Sequence, residues 1–183
     1  MSAIQFILQC IYFLLPAYFA NMAPVIFRKW FSFLAGPMDM GKTFRGKPIL
    51  GKNKTFRGLV TGILTGIGIA FIQYLIRNTS MAHYLTLPGL DYSLWLHIGF
   101  LLGAGAIIGD AAESFFKRQI GIKPGKPFIP FDQTDFVIGS LAFISLVYFP
   151  GWHIVAAVLI LSIILHISFN HFAFWLRIRD EKW

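Results

Sequence analysis

Charge is what this 183-residue chain has least of: 13% of its residues are Asp, Glu, Lys or Arg, against 56% hydrophobic. A soluble domain carries roughly 25% charge, so a chain this apolar would expose too much greasy surface in water. Cysteine is almost absent. The lone Cys10 rules out an internal disulfide framework and a cysteine-ligated zinc site. Acids are scarcer than bases, eight against sixteen. The length fits one domain, residues 1–183, made of several membrane helices, with no separate soluble domain.

Five apolar stretches fill the chain, at about 3–27, 59–76, 94–109, 136–149 and 153–176. A membrane span needs about 20 such residues, within a range of about 17–25. The first and last stretches meet this and the second is adequate. The third meets it only if its helix continues through Asp110. The fourth is short, which puts Asp132 and Asp135 near the membrane surface. The first stretch lacks the basic start and short apolar core of a cleaved signal peptide.

Charge sets the orientation. Residues 28–58, 110–135 and 177–183 hold fifteen of the sixteen Lys and Arg, and the other connections hold only Arg77. Basic residues stay on the cytoplasmic side. The expected fold is therefore an all-α integral membrane protein of five transmembrane helices, N-terminus outside and C-terminus cytoplasmic. Loops 28–58 and 110–135 would then form a site together. Gly62 and Gly66, Gly99 and Gly103, and Gly105 and Gly109 are each four apart, a spacing that lets helix backbones approach closely. The second and third spans are expected to cross there.

Half of the scarce acids sit in one stretch: Asp110, Glu113, Asp132 and Asp135. Carboxylates at a membrane edge are costly unless they bind something. Lys117, Arg118, Lys123 and Lys126 accompany them, a company that fits a divalent metal carrying phosphates. If the third helix continues, Asp110, Glu113, Ser114 and Lys117 share one face. Pro124, Pro127 and Pro130 then force an open loop, and Asp132 and Asp135 arrive where the fourth span starts. Singly, each acid has an ordinary reading: Asp132 as a helix N-cap, Asp135 favouring a first-turn dipole. Two acid pairs flanking a proline-rich loop in a nearly acid-free protein favour a site.

The string Gly109-Asp110-x-x-Glu113-Ser114-x-x-Lys117-Arg118, then Pro124-Gly125 and Asp132-x-x-Asp135, resembles the signature of the cytidylyltransferases that form CDP-alcohols. These are the CDP-diacylglycerol synthases and the shorter CDP-archaeol synthases. The Asp132-Gln133-Thr134-Asp135 ending, the short length and the five spans are similar to the CDP-archaeol synthase family. Lys54-Thr55-Phe56-Arg57-Gly58, His166-x-x-x-Asn170 and the basic end through Arg177 and Arg179 to Trp183 fit it too.

The resemblance implies transfer of CMP from CTP to an isoprenoid ether-lipid phosphate, of the 2,3-bis-O-geranylgeranylglycerol 1-phosphate type, with release of pyrophosphate. It implies Mg²⁺ on Asp110, Asp132 and Asp135, with Glu113 and Ser114 as second choices for metal or ligand. Lys117 and Arg118 would hold the triphosphate, and Asn170 would approach the site. The implied partners are CTP, a lipid phosphate from the bilayer and the membrane itself, with no nucleic acid. The lipid would enter sideways, through a membrane-open groove beside a first span kinked at Pro16 and Pro24.

The basic loop carries a repeat, Lys42-Thr43-Phe44-Arg45-Gly46 and Lys54-Thr55-Phe56-Arg57-Gly58. Only the second copy abuts a helix start, where amides attract phosphate, so Lys54, Thr55 and Arg57 are expected to bind CTP or the lipid phosphate. Arg28, Lys29 and Lys47 are explained as well by attraction to anionic headgroups. The first copy and Asp39 remain open. Gly36 to Thr43 formally matches a P-loop, but no parallel strand precedes it and Pro48 trails it, so that reading is refused. The competing classes are another lipid-phosphate nucleotidyltransferase, a small transporter and a scaffold. A transporter needs ionisable or broken-helix features near the midplane, and a scaffold needs no acid cluster.

Overall fold

The computed structural model describes residues 2–124 and 126–175, with the side chains of residues 169, 170 and 172–174 outside the described part. Its helices are α1 (Ala3–Ile26), α2 (Phe56–Ile76), α3 (Ser80–Leu85), α4 (Trp95–Gln119), α5 (Asp135–Ile144) and α6 (Trp152–Trp175). One departure from an all-helical chain is a small antiparallel hairpin, β1 (Thr43–Phe44) and β2 (Lys47–Pro48).

Local chemistry starts the helices where the chain needs them. Ser2 Oγ accepts from Gln5 N at 3.1 Å and starts α1. Thr55 Oγ1 accepts from Gly58 N at 3.2 Å and starts α2. Each meets an amide that the helix itself leaves unbonded. Among the described residues, three helices are long and apolar enough to cross a membrane: α1, α2 and the segment Tyr92–Gln119. The third helix does continue past Asp110. The 24 residues of α6 reach about 36 Å at 1.5 Å each. The fourth stretch is helical for only ten residues, about 15 Å, which is half a bilayer.

Pro16 and Pro24 lie inside α1. Proline lacks the N–H that would bond the carbonyl four residues back, so the Tyr12 and Ala20 carbonyls are freed. Gln73 Nε2 donates to Tyr12 O at 2.7 Å from α2, which satisfies the first of them inside an apolar bundle.

Glycines set the two closest crossings. A Cβ on Gly66 would lie 2.7 Å from Gly99 O and 2.8 Å from Gly103 Cα, so α2 and α4 touch backbone to backbone as the spacing predicts. Gly105 and Gly109 serve a different neighbour. A Cβ on Gly105 would sit 2.7 Å from Ser140 Cα, and one on Gly139 would sit 2.7 Å from Gly109 Cα. They seat α5 against α4, and Ser140 Oγ donates to Leu102 O at 2.9 Å across the joint.

The loop after α1 and the segment after α4 meet at one end of the bundle. Lys47 Nζ donates to Gln119 O at 2.5 Å and Gln119 Nε2 to Pro48 O at 3.3 Å. The opposite end holds α3, with Gln9 Nε2 donating to Tyr84 O and Thr86 O at 3.2 and 3.1 Å.

Candidate active site

The site is built where α4 outruns the apolar part of the bundle. Its last turns carry Asp110, Glu113, Ser114 and Lys117 on one face; Glu113, Ser114 and Lys117 are buried and Asp110 is half-buried. The α4–α5 crossing brings Asp135, the first residue of α5, beside Asp110. One carboxylate oxygen from each of Asp110, Glu113 and Asp135 lies within 4.8 Å of the other two.

Two lysines offset part of that charge. Lys54 Nζ sits 2.6 Å from Asp110 Oδ2. Lys117 Nζ sits 2.6 Å from Asp132 Oδ1 and 3.3 Å from Glu113 Oε1. Asp135 has no ion-pair partner among the described residues; its Oδ1 accepts from Phe136 N at 2.6 Å. Two ionised carboxylates within 4.8 Å would repel by at least roughly 3.5 kcal/mol at an effective dielectric of about 20. Three hard oxygen donors at that spacing suit a small divalent cation.

Asp132 adjoins this cluster through Glu113 and Lys117 rather than through Asp110. The short turn Phe131–Gln133 directs its carboxylate to Lys117, and Oδ2 also accepts from Phe128 N at 2.6 Å. Burial alone would raise its pKa; the ammonium and the amide outweigh burial and hold it below the ordinary carboxylate value. Of the expected Asp110, Asp132 and Asp135, the first and last share the three-oxygen cluster with Glu113, and Asp132 lines the same cleft beside them. Glu113 supplies the third oxygen of the close group, and Asp132 holds Lys117 at its edge.

A cleft of about 880 Å³ opens on Lys54, Asp110, Glu113, Lys117 and Asp132, within the size range of small-molecule sites. Its walls are the last turns of α4, the segment from Gly121 to Asp132 and the loop from Pro37 to Lys54. That loop is a strap closed at three levels. Phe56 N donates to Gly36 O at 3.0 Å and Met38 N to Lys54 O at 2.7 Å, closing the base. Asp39 closes the middle: Oδ1 accepts from Gly41 N at 3.0 Å, and Oδ2 from Leu50 N and Gly51 N at 2.9 Å each. Burial would raise the Asp39 pKa, but the three amides win and lower it. The β1–β2 hairpin closes the tip, turning at Arg45 and Gly46 with φ of 52° and 76°, the left-handed pair a two-residue hairpin turn requires.

The two repeats therefore split their work. Lys42 and Thr43 of the first copy line the cleft, as does Lys54 of the second. Thr55 does not; its hydroxyl is spent capping α2. Arg57, the second residue of α2, lies outside the lining, and its Nη1 reaches Trp30 O at 3.5 Å. Ser114 and Arg118 line the cleft as expected. The Asn170 side chain lies outside the described residues. Lys47, Lys52, Asn53 and Lys123 also line it; the repeat was the available signal for Lys42 and the neighbouring acids for Lys123, while nothing in the pattern marked Lys47, Lys52 or Asn53 as cleft residues. Gly36 to Thr43 leads into the hairpin rather than a helix, so it is not a P-loop.

Residues 3–183 match the family model described as CarS-like CDP-archaeol synthase. A CDP-archaeol synthase of Methanocaldococcus jannaschii is 35% identical over 176 residues, covering 94% of this chain and 95% of that protein. One from Archaeoglobus fulgidus is 37% identical over 190 residues, covering 98% and 99%. A solved structure, described as an intramembrane enzyme for archaeal membrane lipid biosynthesis, superposes with a TM-score of 0.69 at 30% identity, covering 87% of this chain and 91% of that one.

Proposed function

The chain belongs to the CDP-archaeol synthase family, and we infer that its cleft is where CTP and a membrane lipid phosphate react. The enzyme is a membrane-bound, CTP-dependent cytidylyltransferase acting on an archaeal lipid phosphate. The acceptor is an isoprenoid ether-lipid phosphate and the products are a CDP-lipid of the CDP-archaeol type and pyrophosphate. The observation that carries the site is a lysine-lined cleft walled by Asp110, Glu113 and Asp132, with Asp135 brought beside the first two.

A phosphate oxygen of the lipid attacks the α-phosphorus of CTP while the bond to the β-phosphate oxygen breaks. The lipid phosphate is ionised at neutral pH, so no side chain need remove a proton. The protein's task is to align two anions and neutralise them. Lys42, Lys52, Lys123 and Arg118, which form no ion pair among the described residues, take the β- and γ-phosphates and the departing pyrophosphate. Lys117 is fixed by Asp132 and Glu113, so it presents a positioned ammonium to the reacting phosphate. Lys54 does the same from the strap through Asp110.

The three-carboxylate cluster fits Mg²⁺: its donors are all oxygens, and Asp135 forms no ion pair among the described residues. Mg²⁺ held there would neutralise charge on the CTP phosphates. In the membrane, α1, α2 and α4 cross fully, and α5 with α6 completes a five-span arrangement. The N-terminus then lies outside and the cleft on the cytoplasmic side, where fifteen of the sixteen Lys and Arg fall.

Purified protein given labelled CTP, Mg²⁺ and either the isoprenoid ether-lipid phosphate or a diacylglycerol phosphate tests this reading. Lipid-dependent pyrophosphate release with preference for the ether lipid is expected. Release that is independent of lipid, or absent with both lipids, overturns it.

A further inference from the structure

The eight residues after α1, Phe27-Arg28-Lys29-Trp30-Phe31-Ser32-Phe33-Leu34, are four-eighths aromatic yet belong to no core. Trp30 is 63% and Phe33 81% exposed, and Phe31 is exposed beside them. Their rings meet mainly one another: Phe27 and Trp30 centroids are 5.7 Å apart, Phe27 and Phe31 6.4 Å, and Phe31 and Phe33 6.3 Å. Arg28 and Lys29, also exposed, stand among them.

Two observations identify what covers this surface. The first is continuity. Met22, Val25 and Ile26 at the end of the membrane-spanning α1 are exposed apolar side chains, and the aromatic segment begins at the next residue. The second is charge. A symmetric contact with a second copy would bring the Arg28 and Lys29 pairs together. The one acid in the loop, Asp39, is buried and already accepts three amides. An anionic surface complements the pair and another copy does not. Aromatic rings with adjacent cations are the composition that settles at the headgroup boundary.

We propose that residues 27–34 are a membrane-surface platform that inserts Trp30 and Phe33 into the headgroup boundary, binds anionic lipid headgroups through Arg28 and Lys29, and so sets the depth of the strap. The strap's base begins two residues beyond Leu34, where Gly36 O accepts Phe56 N and Met38 N bonds Lys54 O. The platform thus holds Lys54 level with the phosphates of neighbouring lipids. This role in catalysis rests on the cleft being the lipid-phosphate site; the insertion itself does not.

The test has two arms, both on the full-length protein in phosphatidylglycerol or phosphatidylcholine vesicles. In the first, the emission of Trp30 is isolated as the difference between wild type and Trp30→Phe. Emission that is shielded from aqueous acrylamide and quenched by lipids brominated near the top of the chain is expected. A Trp30 quenched by acrylamide and untouched by brominated lipid, or one shielded only as protein concentration rises, overturns insertion, the latter in favour of a second copy. In the second arm, Phe33→Asp and the milder Phe33→Ser should raise KM for the lipid phosphate several-fold, with KM for CTP unchanged. Arg28→Gln with Lys29→Gln should raise it roughly five-fold per cation removed in the anionic vesicles only. Unchanged lipid KM, or equal shifts in both KM values, overturns the depth-setting role. An inactive wild type would instead refute the cleft assignment and leave the fluorescence result standing.

Discussion

Adding one methyl group at Gly139 should disable the enzyme from within the membrane. A Cβ there would lie 2.7 Å from Gly109 Cα and 2.9 Å from Gly109 N. Both are backbone atoms that cannot rotate aside, and ordinary contact between carbons is about 3.5–4.0 Å. The α4–α5 crossing must therefore open by about 1 Å. Gly109 adjoins Asp110, and Gly139 lies one turn along α5 from Asp135, so the opening passes directly into the carboxylate cluster. Its oxygens lie within 4.8 Å of one another, a spacing that suits donors about 2.1 Å from one Mg²⁺. An opening of a further ångström draws Asp135 away from Asp110 and Glu113 and loosens that spacing. A displacement of about 1 Å in a positioned site costs about 10²-fold in rate, and overpacking costs about 1–3 kcal/mol in stability. Gly139→Ala should thus lose about 10²-fold in lipid-dependent pyrophosphate release and bind Mn²⁺ more weakly by spin-resonance titration. Gly68 is the control: nothing lies within 4 Å of its added Cβ, so Gly68→Ala should keep full activity. Wild-type rates and metal affinity in Gly139→Ala would refute the reasoning.

Asp110→Asn and Asp135→Asn should each lower activity by about 10² or more while the detergent-purified protein keeps its helical circular dichroism; wild-type rates in either would break the cluster assignment. Lys117→Met strands two carboxylates, Glu113 and Asp132, in a mostly buried setting, so it should cost about 3 kcal/mol in stability as well as activity, whereas Asp132→Asn should shift KM for CTP while leaving Mn²⁺ affinity near wild type. Asp39 has a folded pKa below its ordinary 3.8, so its clamp is complete above that value and is lost as pH falls through the lower folded value. Exchange of the Leu50 and Gly51 amides should therefore be slow at neutral pH and accelerate only below about pH 4, and Asp39→Ala should show fast exchange at every pH.

Much of the frame was legible from the chain because it follows from spacing. The third helix had to run through Asp110 to reach span length, and that continuation alone puts Asp110, Glu113 and Lys117 on one face. What spacing could not show is which acid completes the cluster. Asp132 and Asp135 are three apart and look equivalent, yet the turn at Phe131–Gln133 swings one to Lys117 while the helix start fixes the other beside Asp110. The repeat misled for a related reason. Lys54 precedes α2 and stays with the strap, Thr55 is consumed in capping, and Arg57 has already turned with the helix. The Asp39 clamp left no trace in the pattern because all its partners are backbone amides, which every residue but proline supplies.

The glycine pairs at Gly105, Gly109 and Gly139 explain why packing and chemistry share one address. In lipid there is little hydrophobic drive to hold α5, ten residues long, against α4; close van der Waals contact must do it. That contact is possible only where side chains are missing, so the joint forms at the glycines. The acids must then lie within a turn of them to converge, since a carboxylate side chain reaches only a few ångströms. Moving the acids one turn along either helix would keep the bundle and lose the cluster, and filling the glycines would keep the acids and separate them. The short α5 is consistent with this: its task is to deliver Asp135 at the joint, and a helix of about 15 Å is sufficient for that.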